Sequence, residues 1–453
     1  MSLGIRSIWV GGRVAALGSR QLSLSASQRD KDLSKMESTE GVGGVTVPPK
    51  RRSGLDASFR RGTGGRASFS GNVITIFGAT GFLGWNAINR LAKDGNQIII
   101  PYRYDPYFIR ELKMMGELGQ ILFLPWDIRD ENSIKKVIKY SNIVINMAGS
   151  FIETPNFNFA DVHVEGAARI ARLCRQMGVK RLIHLSALNA DENPEPALIP
   201  GGSQILRTKA RGERAVREEF PDSTIVRPAE MYGLRDRFIN TFHSLFRRNI
   251  VSQFDRRSYW FPLHLNGEVF KMPIFVSDVC VGLQRIVNDP TLDGHTYEFV
   301  GPHCYKMRDL VTYMLARAGF IKEHNFNLWI HPGSNIQFWV KTNFVEAKKY
   351  LWNRWRLNWD WEYVERVEAT NDVLTGCPTL QDIGVRDLHV FEWACRDVVK
   401  ILGPVGWRTL DEFDQYWDPP TPAHYTPLRR GYDKEPEIID PPIVGPAYNA
   451  ARE

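Results

Sequence analysis

The residues Val73-Ile74-Thr75-Ile76-Phe77 run directly into Gly78-Ala79-Thr80-Gly81-Phe82-Leu83-Gly84. The first run is apolar and largely β-branched, which predicts a short buried strand. Residues 85–94 then place alanine, isoleucine and leucine side chains at helical spacing, and Gly95 ends that helix. The stretch therefore predicts a strand, a glycine turn and a helix in direct succession.

Each glycine of this turn has a separate physical role in a dinucleotide site. Gly78 permits the tight turn out of the strand, Gly81 lets the backbone approach a pyrophosphate, and Gly84 lets the helix pack closely on the sheet. The helix N-terminus adds unpaired N–H groups and a partial positive charge. Three glycines alone are weak evidence, but between a strand and a helix they predict nucleotide binding. The alternative is a fold that keeps the turn without the ligand.

The second predicted strand, residues 97–100, is followed by Pro101-Tyr102-Arg103. A site that prefers NAD usually has Asp or Glu at this strand end, whereas an arginine accommodates a 2′-phosphate. Since no acidic residue stands there, Arg103 favours NADPH, with NADH or FAD as alternatives. A contact between arginine and phosphate contributes ~1.5–3 kcal/mol, which is enough for a preference of about tenfold or more. The other interpretation of Arg103 is a surface arginine.

Strands and helices continue to alternate after this point. Such alternation predicts an α/β, Rossmann-type doubly wound parallel sheet. Asp127, after the third strand, is a candidate for facing the adenine, and Ala148 lies in a small-residue turn that can contact the nicotinamide ribose. The alternative for Asp127, and for Asn146 at the end of the fourth strand, is a cap or a turn former. The predicted elements are strands at 121–124, 142–146 and 182–186 and helices at 133–140 and 164–177.

Five short motifs occur in the order that they have in the extended, atypical branch of the short-chain dehydrogenase/reductase family, which the chain resembles over about residues 70–300. They are GATGFLG at 78–84, NMAG at 146–149, HLSAL at 184–188, TKARGE at 208–213 and IVRPAEMYG at 225–233.

The resemblance implies a tyrosine four residues before a lysine as the proton donor, and a serine at the end of the preceding strand. General acid catalysis by such a tyrosine is worth ~10²–10⁴-fold in rate. This sequence has Ser186 and Lys209, but Ile205 stands four residues before the lysine, and isoleucine has no proton to donate. We therefore expect binding without turnover and name no catalytic residue. The alternative donor is Tyr232.

The same resemblance suggests that Pro228 belongs to a loop over the cofactor and that Asp278 caps a helix, although a buried turn proline and a simple N-cap explain them equally. Arg227 is either a surface residue or a partner of Asp236. The predicted cofactor-binding residues are Gly78, Thr80, Gly81, Phe82, Leu83, Gly84, Arg103, Asp127, Ala148, Ser186, Lys209 and Pro228.

Composition and charge indicate the cellular compartment and argue against several other classes of protein. The net charge is +7, and residues 1–27 carry three arginines and no acidic residue, which is typical of a mitochondrial presequence rather than a disordered tail. Residues 28–69 form a basic, Gly-rich arm that is either solvated or binds an acidic partner. No nucleic-acid module and no apolar run long enough for a transmembrane helix occur. The five cysteines form no CxxC pair, which argues against disulfides and a metal site.

The C-terminal part has a different character. Residues 301–417 are rich in aromatics: Trp352, Trp355 and Trp359 fall at helical spacing, and Trp359, Trp361 and Tyr363 at strand spacing. Such stripes are usually core, with a protein interface or a membrane surface as alternatives. We expect a smaller C-terminal α/β lobe there and an extended, Pro-rich tail at 418–453.

The presequence, the basic arm, the missing tyrosine and the aromatic C-terminal part occur together. In this combination the chain is similar to the nucleotide-binding accessory subunits of mitochondrial NADH:ubiquinone oxidoreductase, respiratory complex I. That resemblance implies a subunit peripheral to the inner membrane, on its matrix side near the membrane junction, with structural NADPH and with other complex I subunits as partners. The alternatives are an active NADP-dependent reductase or epimerase, and a regulatory module that senses NADPH.

Overall fold

A computed structural model describes residues 68–103, 106–243, 258–317, 327–332, 339–340, 342–344, 347 and 360–400. The predictions for residues 1–27, for residues 28–67 of the arm, for Trp352, Trp355 and Trp359, and for residues 418–453 lie outside these residues.

Thirteen strands occur in the described part of the chain. They are β1 (Val73–Phe77), β2 (Gln97–Tyr102), β3 (Ile121–Pro125), β4 (Ile143–Asn146), β5 (Arg181–Leu185), β6 (Thr224–Pro228), β7 (Met231–Tyr232), β8 (Ser258–Leu263), β9 (Phe270–Lys271), β10 (Ile274–Phe275), β11 (Thr296–Phe299), β12 (Tyr305–Lys306) and β13 (Asn327–Pro332).

The main sheet has seven strands in the order β11-β6-β5-β4-β1-β2-β3. Every neighbouring pair in it is parallel, with Ile76 opposite Ile145 and Ile183 opposite Thr224. The strand order reverses at β1, whose neighbours are β2 and β4. The predicted doubly wound parallel sheet is confirmed, and its ligand crevice is expected at this reversal.

The central strands β1, β2 and β4 are largely apolar because helices cover both faces of the sheet. Ile74, Ile76 and Ile98 point into one core, and Phe77 and Ile99 point into a second core on the opposite face. This alternation follows from the two-residue period of a strand. The β-branched run that predicted the first strand is therefore buried on both sides.

Ten α-helices are described: α1 (Phe82–Ala92), α2 (Arg110–Lys113), α3 (Glu131–Ile138), α4 (Ala167–Gln176), α5 (Gln204–Glu219), α6 (Phe238–His243), α7 (Val276–Asn288), α8 (Met307–Arg317), α9 (Trp361–Tyr363) and α10 (Phe391–Lys400). Two π-helical segments, Asp161–Gly166 before α4 and Val364–Ala369 after α9, interrupt the regular pattern.

A separate apolar core defines a smaller lobe. It contains Tyr232, Phe238, Leu310, Tyr363 and Phe391, so residues from before and after position 300 contribute to it. Three two-stranded sheets, β10 with β7, β12 with β9 and β13 with β8, accompany the main one.

The strand spacing of Trp361 and Tyr363 does not produce a strand. Both residues lie in α9, because the Asp360 side chain accepts a hydrogen bond from the Tyr363 N–H at 2.8 Å and starts a helix there. Tyr363 is buried in the smaller core, as expected of a core aromatic.

Within the described residues no helix is long and apolar enough to cross a membrane. The same part of the chain contains no group of three His, Cys, Asp or Glu side chains that can hold a metal ion. All five cysteines have free thiols, and four of them are buried.

Candidate nucleotide-binding site

The glycine turn lies between β1 and α1 at the carboxyl edge of the sheet. Gly78 has φ +76°, and a Cβ atom there would lie 2.6 Å from the Met147 carbonyl oxygen. A Cβ atom on Gly84 would lie 2.6 Å from Ala79 Cα. Both contacts are shorter than van der Waals distance, so the turn and the first helical turn exclude any side chain at these positions.

The N-terminus of α1 is open to an anion. Gly81 precedes the helix without a side-chain cap, and the first turn, which includes Phe82 and Leu83, contains no acidic residue. The N–H groups of a first helical turn have no partner within the helix. Thr80 and Gly81 are exposed beside them. A turn that excludes side chains and leaves its N–H groups accessible fits the pyrophosphate of a dinucleotide.

The remaining predicted residues follow the carboxyl ends of neighbouring strands. Arg103 follows β2, Asp127 lies two residues beyond β3, Ala148 follows β4, and Ser186 follows β5. Pro228 is the last residue of β6, where its carbonyl accepts the N–H of Leu188 at 2.9 Å. Because all these strands are parallel, their carboxyl ends share one edge of the sheet.

Asp127 takes part in a local turn. It is exposed, its carboxylate accepts the N–H of Arg129 at 2.8 Å, and its own N–H donates to Ser133 Oγ at 3.1 Å. This geometry agrees with the interpretation of Asp127 as a turn former. Arg103 is exposed after β2.

Lys209 reaches the same edge from helix α5. Its ammonium group donates to the Leu185 carbonyl at 3.1 Å and lies 3.3 Å from the position of a Cβ on Gly149. Burial lowers the pKa of Lys209 to about 8; the Glu213 carboxylate opposes this shift and the Arg366 charge adds to it.

Ser186 lies beside this lysine. The residue is buried, and its Oγ has no hydrogen-bond partner among the described residues. A buried hydroxyl without a partner costs free energy, ~1–3 kcal/mol, unless a ligand or water satisfies it. Ile205, with 2% of its surface exposed, occupies the tyrosine position in the preceding turn of α5. A hydroxyl without a described partner and an ammonium group thus lie near the position where the resemblance implies a tyrosine and this chain has isoleucine.

Two buried histidines near this site were not among the predicted residues. Asn146 donates to His184 Nδ1 at 3.2 Å, since its own oxygen accepts the N–H of Ala148. The proton of a neutral His184 therefore sits on Nε2, which has no partner among the described residues. Burial and then the Lys209 charge lower the pKa of His184 to about 3.

His163 lies in the π-helical segment before α4. The Ser150 N–H donates to its Nε2 at 3.1 Å, so Nδ1 carries the proton and donates to Thr208 Oγ at 2.9 Å. Burial, followed by the Lys209 charge, lowers the pKa of His163 to about 2. The neutral ring joins the loop after β4 to the helix that carries Lys209. No spacing rule in the sequence predicts this contact, because a π-helical turn sets it.

Tyr232 does not replace the missing donor. Its ring packs against Phe391 in the smaller core with centroids 4.9 Å apart, and its hydroxyl is buried without a partner in the described structure. Burial raises the pKa of this phenol far above its ordinary value. A buried phenol of this kind cannot deliver a proton to the sheet edge.

Two further predictions are corrected by the contacts. Arg227 does not pair with Asp236: its guanidinium binds Glu213 through two bonds of 2.9 and 2.6 Å, since both side chains lie between α5 and β6. Asp278 does not cap α7. Phe275 precedes that helix, and the Asp278 carboxylate instead accepts two bonds from His389.

The sequence match agrees with this geometry. The model of the NAD dependent epimerase/dehydratase family matches residues 74–298, which include the glycine turn, Ser186 and Lys209. The fold is Rossmann-type, and this match agrees with the predicted resemblance to the extended short-chain dehydrogenase/reductase class.

More specific relatives come from mitochondria. The "NADH dehydrogenase [ubiquinone] 1 alpha subcomplex subunit 9, mitochondrial" of Mus musculus is 38% identical over 336 residues, which is 73% of this chain and 80% of the relative. The "NADH-ubiquinone oxidoreductase 40 kDa subunit, mitochondrial" of Neurospora crassa is 37% identical over 268 residues, 59% of this chain and 66% of the relative. This chain belongs to the family of alpha subcomplex subunit 9 proteins.

Proposed function

We propose that this protein is a non-catalytic accessory subunit of respiratory complex I that holds NADPH as a structural element. Its relatives are named as subunits of mitochondrial NADH dehydrogenase. We further propose a position on the matrix side of the inner membrane, near the membrane junction, with other complex I subunits as partners.

One observation carries the proposal: the ammonium of Lys209 and the unpartnered Oγ of Ser186 lie beside Ile205. Polar groups that would hold a ribose are kept, whereas the side chain that would donate a proton is apolar. A nicotinamide dinucleotide supplies hydride chemistry when a substrate and a proton donor are present. Neither Ile205 nor the buried Tyr232 can supply that proton, so we expect no turnover.

Under this proposal each group of residues binds a different part of the dinucleotide. Gly78, Gly81 and the first turn of α1 would hold the pyrophosphate, and Ser186 with Lys209 would hold the nicotinamide ribose. Arg103 would select the 2′-phosphate of NADPH over NADH or FAD, since a guanidinium forms strong charge-assisted bonds with phosphate.

A bound cofactor that does not react still stabilises the fold. A ligand that binds only the native state contributes RT ln(1 + [L]/Kd), which is about 2.7 kcal/mol at a hundredfold excess over Kd. This is a large fraction of the stability of a typical domain. NADPH would in this way support assembly of the complex without any chemistry.

The first test is the migration of the tagged protein on a native gel of detergent-solubilised mitochondria, stained for NADH dehydrogenase activity. We expect it to co-migrate with the large active band, and NADPH to be released from that band on denaturation. Migration as a small species away from the band would contradict the role as a subunit.

Gly81→Asp tests the structural role of the nucleotide. A Cβ at Gly81 would lie 3.2 Å from the Gly78 carbonyl oxygen, which is a tight contact, and the added carboxylate would repel the pyrophosphate. We expect lost NADPH and reduced assembly, and Gly81→Ala serves as the uncharged control. Normal assembly of a Gly81→Asp subunit without nucleotide would show that NADPH is not structural.

A further inference from the structure

The N-terminus of helix α5 is capped from the smaller lobe. Glu362, in α9, accepts the N–H groups of Gln204 at 3.2 Å and Ile205 at 2.9 Å and the hydroxyl proton of Ser203. Ser203 is also the local cap, because its Oγ accepts the N–H of Leu206 at 3.2 Å. A residue 157 positions along the chain from Ile205 therefore completes the first turn of the helix that carries Lys209.

A second carboxylate from the same segment holds the loop before α5. Glu365 is fully buried and accepts three backbone N–H groups, from Ala197 at 2.8 Å, Leu198 at 2.7 Å and Ile199 at 3.0 Å. Hydrogen bonds to a carboxylate are about twice as strong as neutral ones. Without Glu365 these donors would have no other partner in the described structure, and the loop would lose its fixed conformation.

The segment with the two glutamates is anchored in the smaller lobe. Tyr363, Val364 and Val367 are buried in the smaller core. In addition, Lys271 donates to the Arg366 carbonyl at 3.1 Å, and the Arg366 side chain forms an ion pair with Glu230. The segment is thus packed into the lobe on one side and bonded to the loop and helix of the nucleotide site on the other.

These contacts determine where Lys209 lies. The lysine is one helical turn beyond Ile205, whose N–H is bound by Glu362. A helix moves as a rigid unit, so a displaced N-terminus carries the ammonium away from the Leu185 carbonyl. The His163–Thr208 hydrogen bond fixes the same helix from the large lobe. The position of Lys209 therefore depends on both lobes.

We propose that Glu362 and Glu365 are positioning residues of the nucleotide site, through which nucleotide occupancy stabilises residues 360–372 of the smaller lobe. This inference rests on the proposed binding of NADPH. Linkage requires the effect to be reciprocal: if the cap strengthens nucleotide binding, then bound nucleotide strengthens the cap by the same factor. NADPH would in this way stabilise a lobe that its binding residues do not belong to.

The first measurement is the Kd for NADPH of the full-length purified protein. For Glu362→Ala we expect Kd to rise by about tenfold, the effect of losing a helix cap. Glu362→Gln keeps one acceptor oxygen and should recover most of the affinity. The control is Glu268→Gln, because Glu268 is exposed and the ion pair described for it is with Lys306 at 2.8 Å. We expect its Kd to equal that of the wild type.

The second measurement separates positioning from a general loss of stability. Hydrogen exchange of the amides of residues 360–372 is followed with and without NADPH. We expect NADPH to slow exchange in the wild type and in Glu268→Gln, but not in Glu362→Ala or Glu365→Gln. A purely structural role would raise exchange in the variants while leaving the effect of NADPH intact.

The outcomes are distinct. Folded Glu362→Ala with unchanged Kd and unchanged protection by NADPH overturns the positioning role while the proposed function stands. If Glu362→Ala does not fold, Glu365→Gln decides by the same two readouts, because one amide oxygen cannot replace the carboxylate that accepts the N–H groups of Ala197, Leu198 and Ile199. A wild-type protein that binds no NADPH overturns the proposed function itself, and with it this inference.

Discussion

The glycine turn at 78–84 and the group formed by Ser186, Ile205 and Lys209 are the two parts of the proposed nucleotide site, and different physical constraints act on them. At the turn the constraint is steric, since a Cβ atom added to Gly78 or Gly84 would lie 2.6 Å from a neighbouring backbone atom. At Ser186, Ile205 and Lys209 the constraint is chemical: a hydroxyl, an isoleucine side chain and an ammonium group lie where the ligand would bind and where a proton donor would be needed. Under the proposal, substitution of a turn glycine would disrupt the backbone itself, whereas isoleucine at position 205 would remove a proton donor and leave the groups that bind.

The largest effect is expected at Gly78. Gly78→Ala combines a left-handed backbone with a clash against the Met147 carbonyl, and should lower the free energy of unfolding by roughly 2–6 kcal/mol. Gly119→Ala is the matched control, because Gly119 has φ +81° but no atom within 4 Å of a Cβ. Chemical denaturation measures both. An equal loss of unfolding free energy in the two variants would show that the contact with the Met147 carbonyl imposes no steric constraint at Gly78.

At the chemical half, Lys209→Met should raise the Kd for NADPH by roughly 10–100-fold, because a charge-assisted hydrogen bond is lost. The wild-type affinity should also fall as the pH rises through about 8, the pKa of Lys209, since the ammonium deprotonates there. The variant should lack this titration. A wild-type affinity independent of pH between 7 and about 9.5 would count against a charged Lys209 in binding.

The dependence of the unfolding free energy on pH below 6.5 tests the two buried histidines near the same edge of the sheet. His163 and His184 have folded pKa values of about 2 and about 3, below their ordinary value of 6.5. Unfolded chains bind these protons first, so the stability that neutral histidines contribute is present above pH 6.5 and is lost as the pH falls below it. Each histidine should contribute a slope of up to about 1.4 kcal/mol per pH unit. His184→Gln should flatten the measured dependence; an unchanged slope would place the titration elsewhere.

The smallest effect is expected at Ile205. Ile205→Val should cost about 0.5–1.5 kcal/mol of stability, because one buried methylene is removed. The Kd for NADPH should not change, since Ile205 offers no polar group to the ligand. Thermal denaturation and a binding titration measure the two quantities. A large change of affinity would show that this side chain is part of the binding surface and sharpen the contrast with Gly78.

Short sequence patterns were sufficient to predict the elements that are formed by residues close together in the chain. The run Val73–Phe77 with its glycines predicted β1, the turn and α1 to within a few residues, because strand period, turn glycines and helix period all agree over about 20 positions. The predicted edge residues also lie at the carboxyl ends of their strands. That placement follows from parallel topology, which alternating strands and helices require.

Contacts between distant residues were out of reach of the sequence. Arg227 pairs with Glu213 instead of the predicted Asp236, and Asp278 binds His389 instead of capping a helix. A charged side chain pairs with the groups that packing brings near it, and these are distant in the sequence. His163 entered the site through a π-helical turn, which has no sequence period of its own. The caps that Glu362 and Glu365 provide join residues about 160 positions apart.

The sequence by itself determined the class of fold, the glycine turn between β1 and α1 and the absence of a tyrosine from the donor position, since each depends on residue type at short spacing. Only the tertiary structure decided that Tyr232 is buried away from the sheet edge, that Ser186 lacks a partner and that a second lobe holds the helix of Lys209. The physical reason is that burial and hydrogen-bond satisfaction are properties of packed neighbours, and packing brings together residues that no local pattern connects.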